Sequence, residues 1–243
     1  MKKFLILLVV VVSILSCSKD FDDNLSVYGT VTDADGNTYQ TIKIGNQTWM
    51  LENLKTTKYN DGQPITLYSF ATHGINWLNF NQPNAFYQWA ETSDLNDVYP
   101  DDLPQDYYGA MYNHLAIESG KLAPLGWRIP SQSDFQELEN YLSQNGYANN
   151  EGLTLKTDFG WLPSSGNGTD AVNFRGLPNG YVSAFGTPTF AEGVCTWATS
   201  DVTYTNPNET SGTRVMIQLF DTPTIQYIDN PIQIGAGIRC IKN

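Results

Sequence analysis

Apolar and polar positions alternate in short runs along most of this chain, and Gly, Asn and Pro interrupt them every few residues. Such alternation with frequent turn residues is the signature of short, half-buried strands. The stretch SVYGTVTDADGNTYQTIKIGNQTWM predicts strand, turn, strand, turn, strand. Val27 and Val31 precede the first turn, and Ile42 and Ile44 share a face beyond it, as a period of two requires. Asp35-Gly36 suits a hairpin because glycine accepts the positive φ of a tight turn. The same residues, DADGN at 33–37, also begin like a calcium loop. An EF-hand loop would carry a bidentate Glu at its twelfth position, and counting from Asp33 that residue is Ile44. A hairpin turn is therefore expected there.

One segment has a helical period, WRIPSQSDFQELENYLSQNG. Ser131 or Ser133 can cap its start, with Asp134 or Gln136 as the reciprocal partner three residues on. Phe135, Leu138 and Leu142 form an apolar stripe with Tyr141 beside it, and Asn145-Gly146 supplies the stop. A second, short helix is expected around residues 52–55. Residues 68–107 read as long loops, in which Glu91, Asp94, Asp97, Asp101, Asp102 and Asp106 form a solvated acidic run. The last third returns to short strands in FRGLPNGYVSAFG, VCTWATS, TRVMIQLF and GAGIRCIKN. No heptad or fixed-period repeat and no linker interrupts the chain after its first residues, so a single domain over 28–243 is expected.

The chain opens with Lys2 and Lys3, followed by an unbroken apolar run over residues 4–12. This is the layout of a secretory signal peptide, and the run is too short for a comfortable membrane-spanning helix. ILSC, ending at Cys17, resembles a bacterial lipoprotein cleavage box, so residues 1–16 are expected to be removed and Cys17 to carry acyl chains. SKDFDDN behind it resembles the export signal of Bacteroidetes-type surface lipoproteins, with residues 17–27 as a flexible tether. These features predict an outer-membrane protein, lipid-anchored and facing the cell exterior. The formal net charge of −12 becomes two units more negative without Lys2 and Lys3. So acidic a chain repels nucleic-acid phosphates, and nucleic acid is not an expected partner. Membrane contact is expected only through the lipid, and the protein is expected to be a monomer.

Two cysteines remain after Cys17, Cys195 and Cys240. In an oxidising envelope they most simply pair, closing a loop worth roughly 2–4 kcal/mol. The alternative is two buried free thiols.

Several ordered blocks carry a family resemblance. DADGNTYQTIKIGNQTWMLENLKTTKYNDGQPI resembles the opening of the Fibrobacter succinogenes major paralogous domain family. YYGAMYNHLAI, LAPLGWRIPSQSDFQELENYL, FRGLPNGYVSAFG, TWATS and GIRCIKN follow in family order, over most of residues 28–243. The resemblance implies an α+β, irregular C-type-lectin-like domain. Small twisted antiparallel sheets, one or two flanking helices and long loops are expected, with the first and last strands close together. Many members carry a cysteine where this chain has Ala123, so the Cys195–Cys240 bridge rests on chemistry and not on the family.

Catalysis is not expected. The chain has two histidines, His73 and His114, and neither a G-x-S-x-G elbow nor an H-E-x-x-H motif. Nothing singles out one carboxylate pair among 25 acidic residues for glycosidase chemistry. The sulfatase-modifying relatives of the fold use reactive cysteines, and Cys195 has no basic neighbour in sequence to lower its pKa. Binding is the leading class, because sugar rings stack on aromatic faces while amides bond the hydroxyls. Trp77, Gln82, Asn84, Trp89, Tyr107 and Tyr108 are the candidate ligand-binding residues, and no metal or cofactor is expected. Gln82-Pro83-Asn84 resembles the sugar-selecting tripeptide of calcium-dependent lectins, but TWATSD at 196–201 is not their Trp-Asn-Asp partner. The expected partner is an extracellular glycan or polysaccharide, with an adhesive or structural protein-binding module as the alternative.

Overall fold

The computed structural model of the chain describes residues 27–93, 98–99, 101 and 103–243. The signal segment, Cys17, tether residues 17–26, and Asp94, Asp97 and Asp102 of the acidic run lie outside the described residues. Val27, assigned to the tether from sequence, already belongs to the fold: its carbonyl accepts the Lys43 N–H at 2.8 Å.

The strands are β1 (Tyr28–Thr32), β2 (Thr38–Ile44), β3 (Gln47–Met50), β4 (Thr66–Leu67), β5 (Phe86–Trp89), β6 (Ala110–Tyr112), β7 (Trp127–Arg128), β8 (Tyr181–Val182), β9 (Pro188–Thr189), β10 (Cys195–Tyr204), β11 (Gly212–Leu219), β12 (Gln226–Pro231) and β13 (Ile241–Lys242). The helices are α1 (Phe70–His73), α2 (His114–Glu118), α3 (Gln132–Leu142) and α4 (Glu151–Leu155). A five-stranded antiparallel sheet runs β1-β2-β3-β13-β7, so the last strand lies between the third and the seventh. Sheets of three strands, β10-β11-β12 and β4-β5-β6, and the pair β8-β9 complete an architecture of small sheets with few helices. Among the strand pairs of the described residues, only β4 and β5 run in parallel.

The centre of the five-stranded sheet is buried on both faces, while its edge strand β1 is largely exposed. Ile42, Ile44, Trp49 and Ile241 point into one apolar cluster with Phe135, Leu138 and Leu142 of α3 and with Trp197 and Cys195 of β10. The alternate residues Tyr39, Met50 and Cys240 point into a second cluster with Leu54, Tyr112 and Ala198. A third cluster gathers Tyr68, Trp77, Phe86, Tyr108, Met111 and Val182.

This alternation corrects the expected disulfide. Cys195 and Cys240 are buried free thiols. Successive strand side chains face opposite ways, so Ile241 shares the cluster of Cys195 and its neighbour Cys240 is turned into the other. Burial pushes both thiols well above the usual cysteine range.

The first hairpin forms as its pattern predicts, and Asp33 explains the DADGN sequence. Its carboxylate accepts the backbone N–H groups of Asp35 and Asn37, the Asn37 amide and the Tyr39 hydroxyl. The Asp35 carboxylate is taken by Thr57 N–H, the Thr56 hydroxyl and Lys58. Both acids therefore organise the turn and fasten it to the next segment. Helix α3 starts with a capping box between Ser131 and Asp134. Burial opposes ionisation of Asp134, but Arg128 and Ser131 outweigh it and hold the carboxyl down at about 2. Gly146, at φ 97°, ends the helical path.

Elsewhere the expectations are corrected. Residues 52–55 are not helical, because their backbone groups are drawn into tertiary pairs such as Leu54 N–H to the Ile238 carbonyl at 2.8 Å. The expected loop 68–107 contains α1 and β5, and in β5 Phe86, Tyr87 and Gln88 are all buried, which erases any alternation. Glycine-rich FRGLPNGYVSAFG keeps only the two-residue strand β8.

His114 lies in a buried polar knot that ties α2 to β10 and β11. Its Nδ1 accepts from the Arg214 guanidinium at 3.0 Å, and its Nε2 lies 3.3 Å from the Tyr204 hydroxyl. Arg214 also donates to the Thr199 carbonyl and to Glu118 at 2.5 Å. Burial first, and the Arg214 charge second, push the imidazole down to about 4, with Glu118 pulling the other way. The unfolded chain takes up this proton near pH 6.5 and the folded one only near 4, so the unfolded state binds more protons in that window. Stability is therefore lost as pH falls from about 6.5 to 4, by up to about 3 kcal/mol. Urea titrations at pH 4.5 and 7 should show this loss in the native chain and a flatter profile in His114→Gln. Equal native stability at both pH values would contradict the assignment.

Candidate functional site

A polar cleft of about 310 Å³ opens between β2, the segment after β3, the turn before β6 and residues 175–177. Its lining includes Glu52, Asn53, Lys55, Asp106, Tyr107 and Arg175. The volume is near the lower bound of small-ligand sites.

The floor is set by Asn53, which is buried and fully engaged. Its Nδ2 donates to the Tyr108 carbonyl at 2.9 Å, and its Oδ1 accepts from Trp197 Nε1 at 2.7 Å and Arg239 Nε at 3.0 Å. The Leu54 carbonyl accepts the Ala110 N–H at 2.9 Å, so residues 53–54 and 108–110 are laced together directly beneath the opening. Gly109 makes this approach possible. It sits at φ 79°, and a Cβ there would meet Asn53 Cβ at 2.7 Å and the Leu54 carbonyl at 3.0 Å.

The rim alternates charge. Lys55 donates to Asp106 at 2.5 Å and holds that carboxyl below the usual range. Arg175 reaches Glu52 at 3.8 Å and the Gln40 side chain at 3.2 Å, while Glu52 accepts the Gln40 N–H. Arg175 itself adopts φ 56°, a left-handed conformation unusual for a residue with a Cβ. Asp170 accepts its N–H at 2.8 Å and Arg239 donates to its carbonyl at 3.1 Å, which fixes the strained turn. Such outliers gather where the surroundings over-determine the backbone, and here they aim a guanidinium across the cleft mouth. The rim thus offers carboxylate acceptors, cationic donors and the half-buried Tyr107 ring.

The structure disperses the residues nominated from sequence. Tyr107 lines the cleft with its ring partly exposed, and burial raises its hydroxyl pKa. Tyr108 lines it only through its backbone side: its side chain is buried and its hydroxyl donates to Tyr99. Trp77 is fully buried in the third cluster, stacked near Phe86, and offers no face to a ligand. Trp89 is half-buried against Tyr87. Gln82 and Asn84 are exposed on the loop before β5, and the Asn84 carbonyl accepts from Asn113. Glu52, Asn53, Lys55 and Arg175 were not singled out by sequence. MLENLK looked like a helix start, and the available signal was a charged and amide-bearing segment directly after a confident strand.

Among the described residues, no three His, Cys, Asp or Glu side chains gather to hold a metal ion, and no helix is long and apolar enough to cross a membrane. Fold and site together define a domain of small antiparallel sheets with a charge-alternating surface cleft. A family model described as the Fibrobacter succinogenes major domain matches residues 42–242, and the chain belongs to that family. No curated protein and no solved structure matches it.

Gly109→Ala should cost roughly 2–4 kcal/mol in urea unfolding, from the left-handed backbone and the contacts with Asn53 and Leu54. Gly36→Ala is the control: the glycine is also at positive φ, 87°, but a Cβ there meets nothing within 4 Å. It should cost only about 1 kcal/mol. Equal losses would show that the close approach beneath the cleft is not what Gly109 provides.

Proposed function

We propose that this protein is a non-catalytic binder of an extracellular glycan or polysaccharide, held at the outer face of the outer membrane by a lipid on Cys17. The observation that carries the reading is the cleft. Carboxylates at Glu52 and Asp106 can accept from sugar hydroxyls, Lys55 and Arg175 can donate to them, and Tyr107 supplies a ring face. Both acids lie against cations, and the lowered Asp106 carboxyl keeps its charge at neutral pH, which suits an acceptor and not a proton donor. His114 has both ring nitrogens occupied in the knot around Arg214, so it is not placed to serve as a base.

The finer fold assignment, a C-type-lectin-like domain, belongs to the same proposal. Its support is the adjacency of the early strand β3 and the final strand β13, together with irregular small sheets and one principal helix.

A second reading, an adhesive module that binds protein, draws on a different surface. Phe70, Ile75 and Phe185 are each more than half exposed. Tyr68 ties together the backbone beside Ile75 and at Phe185: its hydroxyl donates to the Gly74 carbonyl at 2.5 Å and lies 3.3 Å from the Phe185 carbonyl. Exposed large apolar side chains of this kind suit protein partners better than sugars.

A glycan array probed with the purified full chain separates the two. The cleft reading expects retained neutral sugars that are lost in Tyr107→Ala while the chain stays folded, although the ring also packs against Tyr99 and Tyr108. An array with no retained neutral glycan, or with neutral glycans unaffected by Tyr107→Ala, would overturn the cleft assignment.

A further inference from the structure

Ten lysines and arginines lie among the described residues, and eight of them have partners. Lys55, Lys58, Lys121, Arg128, Arg175 and Arg214 pair with carboxylates. Lys156 and Arg239 are buried against backbone carbonyls. The two left with neither ion pair nor side-chain hydrogen bond are Lys43 and Lys242, and both line one groove.

The register explains how they meet. Lys43 stands opposite Thr48, and Lys242 opposite Trp127. Because Ile241 pairs with Trp49, Lys242 also stands beside Thr48. Lys43, Thr48, Lys242 and Trp127 therefore form one row across β2, β3, β13 and β7, on the same face. This is the face that buries Tyr39 and Met50 further along, and here it comes out to solvent. Two strand spacings, roughly 10 Å, separate the lysine backbones, within mutual reach of their flexible stems. Thr41 and Gly29 lie in the next row. A Cβ on Gly29 would come within 3.0 Å of the Thr41 hydroxyl, so glycine keeps that side of the groove open. The groove encloses about 240 Å³, and among the described residues no carboxylate side chain lines it.

In a chain of net charge −12, leaving the only two unpartnered described cations side by side is an uncompensated repulsion that a ligand can relieve. We propose that this groove is an anion-recognising glycan site, distinct from the cleft, which takes a sugar bearing a carboxylate, such as a uronate within an oligosaccharide. Lys43 and Lys242 bind the acid group, Thr48 bonds ring hydroxyls, and the half-buried Trp127 indole meets an apolar sugar face. Two cations are too few for an extended polyanion such as nucleic acid, which the rest of the acidic surface would repel.

Titration calorimetry of the full chain tests this with tetragalacturonate, its fully methyl-esterified form and inorganic sulfate. Tetragalacturonate should bind, and binding should weaken as salt rises. Esterification and the double substitution Lys43→Gln/Lys242→Gln should each weaken it about tenfold, with the melting temperature of the variant unchanged. Tyr107→Ala should leave it intact, which separates this groove from the cleft. No binding, equal binding of the ester, or no effect of the double substitution would overturn the proposal. So would loss of binding in Tyr107→Ala, or sulfate binding as tightly as the oligosaccharide, which would reduce the groove to a simple anion site.

Discussion

One buried guanidinium holds the parts of this fold in register. Arg239 precedes the last strand and is almost wholly inaccessible, and none of the ion pairs among the described residues involves it. Its Nε and NH groups donate to the Asn53 side chain and to the backbone carbonyls of Met50, Leu51, Phe174 and Arg175. The rings of Phe174 and Trp197 flank it, each 5.1 Å from the guanidinium carbon. Burial lowers its pKa to about 10, so the charge survives at neutral pH and is spread over oriented carbonyls and aromatic faces. A flexible ammonium could not reach so many acceptors from one planar fork. Lys156 repeats the theme on a smaller scale, donating to the Ser165 and Phe220 carbonyls at 2.7 Å with Trp161 against it.

The two candidate sites follow from this arrangement. Arg239 and Trp197 together saturate the Asn53 carbonyl oxygen, which leaves its amide to pin the Tyr108 carbonyl below the cleft. Arg239 also grips Arg175 by its carbonyl, which holds that residue in its left-handed turn at the cleft mouth. The pairing of β13 with β3, directly after Arg239, places Lys242 two strands from Lys43. Cleft and groove are thus surface consequences of one buried junction between the start and the end of the domain. The proposed ligand binding would gain from side chains held in place before the ligand arrives, and the junction fixes the backbone beneath both sites.

Much of the scaffold was legible in the sequence because local forces dominate there. The first hairpin announces itself through Asp35-Gly36 and alternating valine and isoleucine, and α3 through Ser131, Asp134 and its apolar stripe. The sites were less legible because they are made by long-range backbone bonds. Asn53 and Tyr108 are 55 residues apart, and Asn53 and Arg239 are 186 apart. No window contains both partners. Aromatic richness misled for a related reason: Trp77 and Tyr108 look like ligand platforms in isolation but fill the third cluster. The disulfide expectation failed on a single-residue parity: chemistry favours pairing, but the alternation turns Ile241 into the cluster of Cys195 and its neighbour Cys240 into the other.

The most direct measurement of the central claim is the urea unfolding free energy of Arg239→Met, an apolar replacement of similar length. It leaves the Leu51, Phe174 and Arg175 carbonyls without their donor in a dry interior, and the account predicts a loss of roughly 3–5 kcal/mol in one cooperative transition. A change within about 1 kcal/mol of the native chain would show that the junction is held by apolar packing alone, and would contradict it.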